Sequence, residues 1–65
     1  MDWRRARTLR HDVERESATY RVVRLYQPPG SHYWELDVER RPTRERFVLA
    51  WEPDWEERLR RDAGY

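Results

Sequence analysis

The side chains able to do acid–base or nucleophilic work are few in kind. His11 and His32 are the only histidines, cysteine and lysine are absent, and carboxylates cluster as Glu35/Asp37/Glu39 and Glu56/Glu57. General acid–base catalysis needs such a group held beside a second one, and a nucleophile needs a base within hydrogen-bond reach. His11 precedes Asp12 and His32 follows Ser31, but neighbours along a strand point to opposite faces, so neither pair forms a dyad locally. No spacing of His, Asp and Glu points to a metal. Two glycines, Gly30 and Gly64, do not build a phosphate loop, and without lysine there is no P-loop or Schiff-base chemistry. The acidic runs have arginines at pairing positions, which reads as solvated ion-pair networks. The expectation is a non-enzyme with no cofactor, no metal and no small-molecule substrate.

The chemistry that remains is that of binding. All 14 basic residues are arginine, and Lys, Asn, Ile and Cys are missing together. The AT-rich codons of Lys, Asn and Ile point to a GC-rich genome as the source of that skew. Arginine pairs with carboxylates and phosphates through two N–H groups and stacks on aromatic rings. Residues 1–11 carry Arg4, Arg5, Arg7 and Arg10 against Asp2, a net charge of +3. Together with Arg24, Tyr26 and Tyr33 they form a candidate nucleic-acid surface, since single-strand binders combine aromatic stacking with basic residues. Opposing this, Glu35, Asp37 and Glu39 share the face of the tyrosines, and 13 acidic residues leave a net charge of only +1.

These groups must be positioned by a small scaffold. Sixty-five residues make one domain at most, and nine aromatics (4 Trp, 4 Tyr, 1 Phe) argue against disorder. No apolar run has the length of a membrane span, the first residues do not resemble a signal peptide, and a cytoplasmic location is expected.

From Ser31 to Arg41, His32, Trp34, Leu36 and Val38 alternate with Tyr33, Glu35, Asp37 and Glu39, the period of a half-buried strand. Phe47, Leu49 and Trp51 alternate likewise across 44–52. Between them, Arg41-Pro42-Thr43-Arg44 suits a four-residue loop with proline at the second position of a type I turn. That loop pairs Arg40 with Glu45, and so Val38 with Phe47, Leu36 with Leu49 and Trp34 with Trp51 on one face, and Glu39 with Arg46 on the other.

Upstream, residues 18–27 read as a third strand ending at the loop Pro28-Pro29-Gly30-Ser31. If that loop has four residues, Gln27 pairs with His32, Leu25 with Trp34, Val23 with Leu36, Arg24 with Glu35 and Tyr26 with Tyr33. A β-bulge near Arg21-Val22 is then needed to return Tyr20 to the core face.

Asp54 with Glu57 reads as the capped start of a helix over about 54–63, with Trp55 and Leu59 as its apolar stripe and Gly64 as its stop. Too short to stand alone, it docks on the apolar sheet face. Residues 1–17 fit a helix capped by Asp2 with Trp3, Ala6, Leu9 and Val13 on one side, and also a fourth strand. The helix is preferred. The expected fold is α+β, a three-stranded antiparallel meander packed by a C-terminal helix, αβββα rather than ββββα.

With one face of the sheet buried, Val22, Val48 and Ala50 fall on the other, and Trp3 lies near the terminus. These four are the candidate partner surface, because Trp is favoured at interface hot spots and two sheet edges stand ready to pair. The functional expectation is a small protein-interaction module or accessory subunit, with a protein partner or a second copy in a homodimer. Single-stranded RNA or DNA binding is the alternative.

Overall fold

A computed structural model describes residues 1–62. The order is α1 (Trp3–Arg15), β1 (Tyr20–Tyr26), β2 (Glu35–Arg40), β3 (Glu45–Leu49) and α2 (Glu52–Asp62), in a single antiparallel sheet ordered β1-β2-β3. This is the expected αβββα fold. Residues 1–17 are therefore mainly helix, and the expected stop at Gly64 lies outside the described residues.

α1 forms because its apolar residues recur on one helical face and Asp2 closes its start. The Asp2 carboxylate accepts a hydrogen bond from the Arg5 N–H at 2.8 Å, an N-cap contact that occupies a donor left free at the helix end. Ala6, Leu9 and Val13 are buried, whereas Trp3 is displaced toward solvent.

The β2–β3 hairpin has the register read from the sequence. Leu36 faces Leu49, Asp37 Val48, Val38 Phe47, Glu39 Arg46 and Arg40 Glu45. The Arg44 N–H donates to the Arg40 carbonyl at 2.7 Å, and Arg44 takes φ 58° to turn the chain back into β3. The left-handed region is uncommon for a residue with a Cβ.

Trp34 and Trp51, expected as the next pair, are not paired. The Met1 backbone enters there. Its nitrogen donates to the Trp34 and Ala50 carbonyls, both at 3.1 Å, and its carbonyl accepts from the Trp34 N–H. Met1 thus bridges the chain ends of β2 and β3. Trp34 instead packs on Trp3, with ring centroids 4.8 Å apart, and Trp51 is 70% exposed. It does not belong to the core in which the sequence pattern put it.

β1 also departs from the expected alignment. Tyr26 faces Glu35, Leu25 Leu36 and Arg24 Asp37, and beyond a bulge Val22 faces Val38 and Tyr20 Arg40. The connection runs over residues 27–34, because Pro28 and Ser31 close a turn (3.0 Å) and the Ser31 hydroxyl bonds the Tyr33 backbone. Tyr26 and Tyr33 are consequently not cross-strand partners, nor are Arg24 and Glu35. The bulge is present but sits at Val23, one step later than expected. That step moves Val22 onto the core face, where it packs against the buried cluster.

Leu9, Val13, Tyr20, Leu36, Val38, Leu49 and Trp55 make up that cluster. It draws on both helices, so α1 and α2 cover the same side of the sheet and leave the other side to solvent. α2 begins two residues before Asp54. The Asp54 carboxylate is not the N-cap; it reaches back to accept from the Ala50 and Trp51 N–H groups at 3.2 and 3.1 Å. Asp54 thereby plays the part usually taken by the third residue of a capping box, with Pro53 tolerated in the first turn.

Candidate functional site

Three polar or aromatic regions surround this core. The first is the uncovered sheet face, where charges pair across the strands. Arg24 bonds Asp37 at 2.7 Å, and Glu39 meets Arg21 at 3.3 Å and Arg46 at 3.5 Å. The Arg24 guanidinium also lies 3.9 Å over the Tyr26 ring, while the Tyr26 hydroxyl donates to Glu35 at 3.1 Å. Hydrogen bonding from Arg21 holds the Glu39 carboxyl below the usual carboxylate range. The bond to Glu35 raises the Tyr26 hydroxyl, and the bond to Asp37 raises Arg24. Two of the candidate nucleic-acid residues, Arg24 and Tyr26, are thus occupied with the protein's own groups.

The second region closes the core where β1 begins and β2 ends. The Tyr20 hydroxyl donates to Asp62, Arg40 lies 3.4 Å from the same carboxylate, and Arg58 reaches Asp62 at 3.4 Å and Glu45 at 2.5 Å. Arg58 is only 9% exposed and stacks 4.2 Å over Phe47. Burial, reinforced by the bond to Asp62, pushes the Tyr20 hydroxyl up to about 12, and the bond from Arg58 lowers Glu45. This cluster fastens the end of α2 to the sheet. A buried charge without such partners would be strongly unfavourable. In the sequence its only signals are the Arg40–Glu45 register and the Arg58/Asp62 spacing of four.

The third region, at the opposite end, is where exposure concentrates. Met1, Arg5, Tyr33, Glu35, Ala50, Trp51 and Pro53 line a pocket of about 540 Å³. Tyr33 is 50% exposed beside the more open Trp51. The start of α1 adjoins it and has no acidic residue in its first turn. Arg4 and Arg5 lie in that turn, where the macrodipole disfavours cations and the Asp2 carboxylate at the cap offsets it.

The candidate partner residues divide accordingly. Ala50 lines the pocket, and Val48 stands half exposed on the bare sheet face. Trp3, 48% exposed, packs on Trp34 near the same end. Val22 is turned into the core by the bulge. Of the α1 arginines, Arg4 and Arg7 border a shallow depression with Trp3, Thr8 and His11. Arg10 pairs with Glu14 at 2.8 Å, and Arg5 lines the pocket. Reading from the sequence missed Trp51 and Pro53 as surface residues, since alternation alone puts Trp51 with Leu49. His11 and His32 are exposed, and among the described residues no group of three or more metal-ligating side chains comes together. Nor is any helix among them long and apolar enough to cross a membrane.

Searched against protein-family models, curated proteins and solved structures, the chain matches none.

Proposed function

We propose that this chain is a non-enzymatic interaction module, or accessory subunit, that docks a protein partner at its aromatic end. An apolar side chain of the partner enters the pocket beside Trp51, and acidic groups of the partner face the arginines of α1. The observation that carries the reading is Trp51 itself, 70% exposed at the lip of an apolar pocket. A tryptophan left in water forgoes a large burial energy that a partner would recover, and Trp and Arg dominate interface hot spots. The basic excess of residues 1–11, four arginines against Asp2, supports an acidic partner. The engagement of the carboxylates with arginine supports a binding rather than catalytic role, and the proposed setting is cytoplasmic.

Trp51→Ala tests this. Because the side chain contributes little to the core, melting temperature stays near that of the wild type, while a protein captured from native extract is retained about tenfold less or worse. Undiminished capture by Trp51→Ala counts against the reading. A second reading, single-stranded RNA or DNA binding, is favoured by Arg5, Tyr33 and Trp51 lining one pocket. It requires capture to disappear with nuclease, and affinity for an oligonucleotide to fall steeply with salt. No oligonucleotide binding at low salt removes it.

A further inference from the structure

Among the described residues the outer side of β3 pairs with no strand, and a bare edge is a template for another chain unless the sequence blunts it. The other edge, β1, is blunted. It carries the bulge at Val23. β3 has no bulge and no proline, and among the described residues no strand covers it. Along it, Phe47, Val48 and Leu49 form one wall of a groove of about 200 Å³, with Glu57 and Arg61 of α2 on the other.

We infer that β3 pairs antiparallel with β3 of a second copy about a two-fold axis through Val48. This goes beyond the partner-docking reading and does not rest on it. The sequence around Val48 is self-complementary in that register. Val48 meets Val48 of the second copy, Phe47 meets Leu49, and Arg46 meets Ala50. Directly opposed residues share a face, so the two half-exposed valines cover one another on the bare side. The apolar Phe47/Leu49 pairs lie on the core side of the seam. The same axis runs the two α2 helices antiparallel. Glu57 and Arg61, one turn apart and only 3.8 Å from each other within α2, then have opposite charges to meet across the axis. Any isologous contact needs such self-complementarity. A heterologous strand would not exploit it, which is why a second copy is the occupant. The product is a continuous six-stranded sheet.

The chain contains no cysteine, so single-cysteine variants report the register cleanly. Opposed residues of an antiparallel pair have Cα atoms about 4.5–5.5 Å apart, within disulfide range. Val48→Cys is expected to give a covalent dimer on mild oxidation. Arg46→Cys should not, because in this register its own mate lies four residues along, roughly 13 Å away. Sedimentation of the untagged wild type is expected to show a concentration-dependent dimer. Val48→Glu, which sets two carboxylates side by side, should move its midpoint to about tenfold higher concentration or more with an unchanged circular dichroism spectrum. A wild type that stays monomeric at all concentrations overturns the inference. So does a dimer that Val48→Glu leaves intact, or one that Arg46→Cys cross-links and Val48→Cys does not.

Discussion

At the scale of single residues, Tyr20 couples the hydrophobic core to the ion cluster. Its ring packs edge-on against Trp55 at 4.9 Å and Phe47 at 6.1 Å, and its hydroxyl bonds Asp62. Ionising it would put a phenolate beside a carboxylate in a poorly hydrated place, so its pKa is raised to about 12. The linkage has a definite sign. A raised folded-state value contributes stability that is fully present below the unfolded value near 10 and is lost as pH climbs toward 12. Spectrophotometric titration of the tyrosines is expected to show a step that ionises together with unfolding, and Tyr20→Phe should remove that step. A titration that Tyr20→Phe leaves unchanged would contradict the burial of this hydroxyl. Trp51 teaches the opposite lesson. Nothing in its type distinguishes it from Trp55, yet one is exposed and the other buried.

Among the elements, the start of α2 depends on one side chain. Asp54 accepts from two backbone N–H groups as the chain leaves β3, binding the strand end to the helix start. Asp54→Ala strands both donors and is expected to cost about 1 kcal/mol, in the range of lost helix caps, measured by urea denaturation. Asp54→Asn should recover most of that. If alanine costs nothing, water replaces the carboxylate without penalty and the helix start is held by Trp55 alone. The sequence marked Asp54 as the capping residue, but its spacing relative to Trp51 decides its role. A carboxylate three residues into a helix reaches backward, whereas at the cap it would reach forward. α1 was legible in both its cap and its buried face because Asp2, Ala6, Leu9 and Val13 satisfy helical spacing among themselves.

For the molecule as a whole, two helices on one side of a three-stranded sheet give an elongated body, 35 × 19 × 17 Å, with a narrow core. Ion pairs add to it on the bare face, where exposure keeps each contribution small, and under α2, where Arg58 is buried. Glu39 and Glu45 each have their pKa lowered by hydrogen-bonded arginine. Depressed carboxylates contribute stability that is present above their unfolded value, near 4.5, and lost as pH falls through the folded values. Loss of stability is expected as pH falls below 4.5, followed by tryptophan circular dichroism. Glu39→Gln and Glu45→Gln together should weaken the dependence. A double variant with the parent's acid profile would assign the loss to other carboxylates.

Alternation and a four-residue turn were enough to fix β2 against β3, since all five pairs are close in sequence and any one-residue slip would expose Leu36 and Val38. The buried face of α1 was readable for the same reason, as periodicity reports which side of a helix is buried, whereas in β1 the bulge overrides it at Val22. Periodicity is blind to a shift of two residues, which keeps every side chain on its face, and so the β1–β2 register had to come from the folded chain. The bulge that turns Val22 inward and the Met1 bridge that parts Trp34 from Trp51 were likewise beyond it. Those bonds join residues 33 and 49 positions apart, contacts no local pattern encodes, and with them the tertiary structure decided where the exposed aromatic surface lies.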